Sequence, residues 1–340
     1  MSNEMLVMPT RTRQVDGLTI RYTETDAADG PVILATSPWP ESLLAFRRVW
    51  PALATRARLV AIDLPGFGHS QGRTDLFRPD AMAEFLHQLI DEFELGSPHL
   101  VAPDVGTSAA LFLAARHPGA VKSLIVGSGA SAWPLETAGV LADIIAAPDI
   151  EAFKNMDIRA TVGATVEPVA SHEDEPLVWE DYVTSYENGR FAESTRYVRS
   201  YPTQLALLRD LLPMVKVPVH IVEGLRDPLV PPSNGRYLAD RLPDSRLTIL
   251  DTGHFPWELD PGQYGTIIAE WVARAETVRL RIPSPSADRN PRTSSASAGR
   301  GEGRRPEENS SYDAVHARYG TDSARRGRRH PVRLPPLRRA

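Results

Sequence analysis

The sequence predicts a doubly wound, mostly parallel α/β sheet with a helical lid inserted late in the chain. Three observations carry this reading. Short apolar runs, several of them β-branched and apolar on both faces, alternate with longer amphipathic stretches, as strands covered by helices on both sides must. Pro79–Leu95 places Met82, Phe85, Leu86, Leu89, Ile90 and Phe93 at helical spacing, opens with Pro and ends at Gly96. Finally, about 90 residues between Gly127 and Pro218 hold helix-like runs but no clear strand, too long a stretch for a structureless loop in a compact domain.

Taken in order, the expected strands are Leu18–Thr23, Val32–Thr36, Leu59–Leu64, His99–Pro103, Val121–Val126, Val219–Glu223 and Leu247–Leu250. Helix-like runs in the interruption fall near Leu141–Ile145, Tyr182–Tyr186 and Thr203–Leu212. The expected organisation is a sheet domain over 1–130 and 214–276, a lid over 131–213 and a tail over 277–340. The tail is rich in Arg, Ser and Pro and lacks helical or strand periodicity, so disorder is expected there.

Composition narrows the function classes. Among 340 residues, 42% are hydrophobic and 24% charged, and none is cysteine, which removes disulfides, thiolate metal sites and a cysteine nucleophile together. No apolar run is long enough to span a bilayer, and the opening MSNEMLVMPTRTRQ has no signal-like apolar core, so a cytoplasmic protein without a membrane partner is expected. The tail carries 15 arginines against 6 acids, which leaves the first 276 residues at −14 against −5 for the whole chain. Arginine outnumbers lysine everywhere in this sequence, which has only three lysines, so the tail reads as a solvated segment rather than a nucleic-acid-binding arm.

A search for a nucleophile first meets Gly68-His69-Ser70-Gln71-Gly72, which matches G-x-S-x-G. That motif works only where a strand turns directly into a helix, and Ser70 is followed by a polar loop. The required context occurs at HLVAPDVGTSAALFLAARHP (99–118), where an apolar strand runs straight into a small-residue helix. Ala102 and Gly106 flank the apex, and the apex residue is Asp104. The competing reading is a simple helix N-cap, a role that aspartate fills well. Ser108 would sit a full turn inside the helix and reads as packing.

Four segments resemble the α/β-hydrolase superfamily, over roughly residues 15–275. They are SPWPES at 37–42, AIDLPGFGHS at 61–70, the turn at Asp104 with Pro118 fourteen residues beyond it, and the pair GLRDPLVPP (224–232) and DTGHFPWEL (251–259). The resemblance implies that Asp227 and His254 complete a triad with Asp104, and that the backbone N–H groups of Trp39 and Val105 form the oxyanion hole. Pro40 occupies a position that is often cis in relatives. Ser37-Pro38 replaces the family's His-Gly, which leaves one N–H fewer in that turn.

An aspartate nucleophile suits displacement at a saturated carbon, giving an alkyl ester that water then hydrolyses. The resemblance therefore points to the branch holding epoxide hydrolases and haloalkane dehalogenases. A halide needs N–H donors, and the position after the nucleophile, Trp in haloalkane dehalogenases, is Val105 here, leaving only the Trp39 indole. An epoxide oxygen needs an acid, for which Tyr182, Tyr197 and Tyr201 are the candidates; spacing of four puts Tyr182/Tyr186 and Tyr197/Tyr201 each on one helix face. The leading expectation is an epoxide hydrolase-like enzyme, the alternatives a dehalogenase with an atypical halide site and a non-hydrolytic protein of the same fold. Expected partners are water and a small hydrophobic substrate. No phosphate loop, dinucleotide fingerprint or metal-spaced His cluster is present, so no cofactor or metal is implied.

Overall fold

A computed structural model describes residues 8–25 and 30–280, with side chains through Thr277. The tail expected beyond them lies outside the described residues, apart from its first four positions. All described residues fall in one compact unit. Its centre is an eight-stranded sheet in the order β1-β2-β4-β3-β5-β6-β7-β8. The strands are β1 (Arg11–Val15), β2 (Leu18–Glu24), β3 (Val32–Thr36), β4 (Arg58–Ile62), β5 (His99–Pro103), β6 (Ser123–Gly127), β7 (Val219–Gly224) and β8 (Ser245–Leu250). β3 to β8 run parallel, and the β1–β2 hairpin joins antiparallel through β2–β4.

Every residue of β5, β6 and β7 is buried, which is why those segments read as continuous apolar runs. The expected strands all form, with ends shifted by at most two residues. β1 was not expected. Its residues RTRQV are exposed at four of five positions, so it has no buried face and no apolar alternation. Its signal is the turn instead: Asp16 (φ 47°) and Gly17 (φ 74°) form the Asp-Gly corner that a two-residue hairpin favours.

The helices before the interruption are α1 (Trp50–Ala54), α2 (Pro79–Glu92) and α3 (Val105–Arg116). Between β6 and β7 come α4 (Gly139–Ala146), α5 (Glu151–Lys154), α6 (Ile158–Val166), α7 (Pro176–Thr184), α8 (Arg190–Arg199) and α9 (Tyr201–Leu211). α10 (Ser233–Ala239), α11 (Pro256–Leu259) and α12 (Pro261–Leu280) complete the unit. α3 is buried from Val105 to Ala115, so its position is fixed by packing on every side. α12 continues past the tail boundary expected at Thr277, whose hydroxyl donates to Ala273 O at 2.8 Å.

The tyrosine spacing did not survive folding. α7 stops at Thr184, so Tyr186 lies beyond it, and Tyr197 belongs to α8 whereas Tyr201 opens α9. Pro202 starts a new helix in its own first turn, which breaks the continuous helix that the spacing assumed. Among the described residues no helix is long and apolar enough to cross a membrane.

Candidate active site

β5 turns into α3 within a single residue. Asp104 adopts φ 52°, ψ −123°, a sparsely populated conformation for a side chain, which costs about 1–3 kcal/mol and persists only where the surroundings enforce it. They do so through close approach. A Cβ on Gly106 would stand 2.5 Å from Thr36 Oγ1 and 3.1 Å from Ala102 Cβ. A Cβ on Gly129, in the turn after β6, would stand 2.2 Å from the Asp104 carbonyl oxygen. Gly106, one of the two small residues that flank Asp104 in the sequence, is thus required by the side chains packed against it. Gly129 adds a close backbone approach that the sequence did not signal.

Asp104 occupies the N-cap position of α3 yet makes no side-chain capping bond. Its carboxylate turns the other way. Oδ2 accepts from the Trp39 backbone N–H at 2.6 Å, and Oδ1 lies 3.6 Å from His254 Nε2. His254 Nδ1 lies 2.7 Å from Asp227 Oδ2. The other oxygen of Asp227 accepts from the backbone N–H groups of Leu229 (2.8 Å) and Val230 (2.9 Å), which fixes the carboxylate's orientation. All three side chains are buried. Burial by itself lowers the His254 pKa, but hydrogen bonds and charge from Asp104 and Asp227 outweigh it and push the value up to about 10. The peptide between Trp39 and Pro40 is cis. Val105 supplies the first N–H of α3.

A small cavity of about 60 Å³ opens over Asp104 and His254. Its walls are mostly apolar, with Leu141, Ile144, Phe191 and Val198 from the inserted helices facing Leu229 and Val230. Of the three tyrosines singled out in the sequence, only Tyr201 lines it. Burial holds the Tyr201 phenol well above its ordinary range, aided by the nearby Tyr197 and Asp104, while the Ser108 hydroxyl pulls the other way. Tyr197 instead donates to the Val105 carbonyl at 2.9 Å, bracing the elbow from the far side. Tyr182 lies elsewhere: its hydroxyl donates to Glu258 Oε1 at 2.8 Å and accepts from Arg47 at 3.2 Å. The Tyr182 and Tyr197 hydroxyls are thus both engaged with protein partners, and neither residue lines the cavity.

The Trp39 indole N–H is committed as well, donating to Ser194 Oγ at 3.0 Å while the ring stacks on Phe191. The halide-donor role considered for it is therefore filled by a protein oxygen. Ser70 proves to be a buried loop residue, its hydroxyl donating to Asp63 O at 2.7 Å and accepting from Arg21 N at 2.9 Å. A larger open cleft of about 750 Å³, lined by Arg73, Phe77, Lys154 and Arg190 among others, contains none of the Asp104 constellation.

Sequence reasoning missed the buried acids around the site. Glu41 accepts from Trp257 Nε1 at 2.9 Å, and the Glu258 carboxylate is paired with Arg47. Burial, with the neighbouring Glu258 charge adding to it, holds the Glu41 carboxyl well above the carboxylate range. Arg47 also bonds Glu175 at the start of α7, so this network ties the Trp39 loop, the segment after His254 and the inserted helices together. The available signal was the pair of glutamates inside SPWPES and HFPWEL, which apolar-pattern reading passes over.

The alpha/beta hydrolase fold family model matches residues 31–261, and the chain belongs to that family. It is 24% identical over 263 residues to the uncharacterized hydrolase YNR064C of Saccharomyces cerevisiae, a match covering 72% of this chain and 89% of that one. Over 115 residues it is 37% identical to a haloalkane dehalogenase of Bradyrhizobium diazoefficiens, a match that spans 34% of this chain and 37% of the relative. The fold superposes on the epoxide hydrolase VrEH1 from Vigna radiata with a TM-score of 0.66 and 18% identity, covering 80% of this chain and 99% of that one.

Proposed function

We propose that the protein is an epoxide hydrolase-like enzyme with Asp104 as its nucleophile. One observation carries the reading: a strained aspartate at the strand–helix turn makes no capping bond and aims its carboxylate between Trp39 N–H and His254. The non-hydrolytic alternative needs Asp104 to cap its helix, and it does not.

In the proposed first step Oδ1 attacks an epoxide carbon and the ring C–O bond breaks. Tyr201 gives its proton to the departing oxygen, as the one of the three candidate tyrosines that lines the cavity. Asp104 then carries an alkyl ester and no longer a charge. One of the two carboxylates holding the His254 proton has gone, so the imidazolium gives its proton up and Tyr201 is restored. Neutral His254, oriented by Asp227, next removes a proton from water as its oxygen adds to the Asp104 carboxyl carbon. Trp39 and Val105 N–H groups hold the resulting oxyanion. Collapse of the tetrahedral species expels the diol oxygen, which takes the hydroxyl proton, and regenerates the Asp104 carboxylate beside protonated His254.

An epoxide is favoured over a halide because Tyr201 lines the cavity while the Trp39 indole is already bonded to Ser194. The apolar walls favour a small hydrophobic epoxide. Incubation with a styrene oxide panel and with bromoalkanes, following diol and free halide, tests this. Diol formation is expected; halide release without diol would sink the epoxide assignment.

A further inference from the structure

A buried carboxyl group lies behind the constellation and the mechanism above does not use it. Glu223, near the end of β7 and four residues before Asp227, has no exposed surface. Its Oε2 accepts from the Ser128 backbone N–H at 3.0 Å, and its Oε1 is buried without a hydrogen-bond partner. Ser128 sits at φ 50°, a conformation that a serine adopts only under constraint. The next residue is Gly129, whose Cα packs so closely on the Asp104 carbonyl that a Cβ would stand 2.2 Å from it. One carboxyl thus holds the turn on which the nucleophile's backbone rests.

The side chain has no freedom to leave. A Cβ on Gly235 of α10 would meet Glu223 Cγ at 2.5 Å, so the helix presses the carboxyl into place. The charged groups around it are Asp227 on the following loop, His254 beyond β8 and Arg236 on α10. A buried carboxyl in such company resists ionisation, because burial disfavours the charged form and Asp227 repels it.

We propose that Glu223 is a positioning residue for the reaction: it clamps the Ser128 turn beneath Asp104 and, as a second carboxyl behind His254, sets the alkaline limit of alkyl-enzyme hydrolysis. The inference rests on reading Asp104 as the nucleophile. Burial pushes the Glu223 carboxyl up to about 8; the Asp227 charge adds to this, and the Ser128 N–H, His254 and Arg236 oppose it. Once ionised it adds a second negative charge near His254, which holds the imidazolium proton and leaves less neutral base, and it opposes the oxyanion that forms over Asp104.

The test is single-turnover hydrolysis of the Asp104 ester formed from styrene oxide, followed against pH in the wild type and in Glu223→Gln. In the wild type the rate is expected to fall about tenfold between pH 7 and pH 9, following ionisation of a group that titrates near 8. Glu223→Gln keeps the Ser128 hydrogen bond but cannot ionise, and its profile is expected to stay flat over that range. The same alkaline fall at the same midpoint in the variant, or no fall in the wild type, overturns the inference. Should Glu223→Gln not fold, Gly235→Ala, which drives a methyl into Glu223, takes its place: a displaced midpoint supports the role and an unmoved one refutes it. His254→Gln run with the same epoxide separates the two claims. Absence of a trapped ester there refutes the nucleophile, whereas a trapped ester with unchanged pH profiles refutes only the role of Glu223.

Discussion

Replacing Tyr201 by Phe removes one hydroxyl from a residue that lines the cavity. The ring is buried and packs edge-on against Tyr197 at 5.9 Å, a contact that Phe retains. The stability cost is therefore limited to the polar environment of the hydroxyl, up to about 1 kcal/mol. The kinetic cost is much larger if the phenol protonates the epoxide oxygen. Loss of a positioned general acid is worth about 10²–10⁴-fold, or roughly 3–5 kcal/mol of barrier. It falls on formation of the Asp104 ester and not on its hydrolysis. Rapid mixing with epoxide under single-turnover conditions, read by the fluorescence of Trp39 on the cavity wall, separates the two steps. Tyr197→Phe is the internal control: it loses the bond to Val105 O, at about 1 kcal/mol of stability, and is expected to retain esterification within about tenfold, less than the loss of an acid would cost. Esterification by Tyr201→Phe within threefold of wild type, or a larger loss in Tyr197→Phe, would refute the assignment.

Other consequences follow from the same geometry. Asp227→Asn removes the carboxylate that orients His254 and is expected to slow ester hydrolysis by about 10³–10⁴-fold, measured by single turnover after esterification. Asp104→Asn mimics the neutral ester, so the His254 pKa, about 10 in the resting enzyme, is expected to drop by NMR titration. Because that value is raised from an ordinary 6.5, the stability His254 supplies is complete below pH 6.5 and lost as pH climbs towards 10. Thermal melts should show this decline in the wild type and a weaker one in Asp104→Asn. Arg47→Met leaves the buried Glu258 carboxyl with only the more distant Arg48, 3.8 Å away, and is expected to cost about 3–5 kcal/mol in denaturant unfolding. Gly106→Ala, which forces a methyl against Thr36 and Ala102, is expected to destabilise by about 1–3 kcal/mol and to depress activity further by moving Asp104.

The sheet was legible in the sequence because its inner strands are buried on both faces, and β3 and β5 were bounded to the residue. β1 escaped because a solvent-facing edge strand has no apolar pattern to display. Asp104 was legible through its small neighbours Ala102 and Gly106, since the Thr36 and Ala102 side chains leave no room for a Cβ at Gly106. The tyrosines were not separable by spacing. Which tyrosine lines the cavity depends on where α8 breaks and α9 begins, and the hydroxyls of the other two are bonded to Glu258 and Val105 O. Glu223 was invisible for a related reason: a single polar residue inside an apolar run declares nothing until the structure shows that it is buried, and beside what, while Glu41 lies in a turn with no apolar pattern to read.

The central claim is that Asp104 attacks carbon and carries the substrate as an ester. The most direct measurement is the mass of His254→Gln after incubation with styrene oxide, followed by peptide mapping. The account predicts a stable increment equal to the whole epoxide, localised to Asp104, in a variant that can still be esterified but cannot activate water. An unmodified Asp104 peptide after exposure to epoxides that the wild type converts to diol would contradict it.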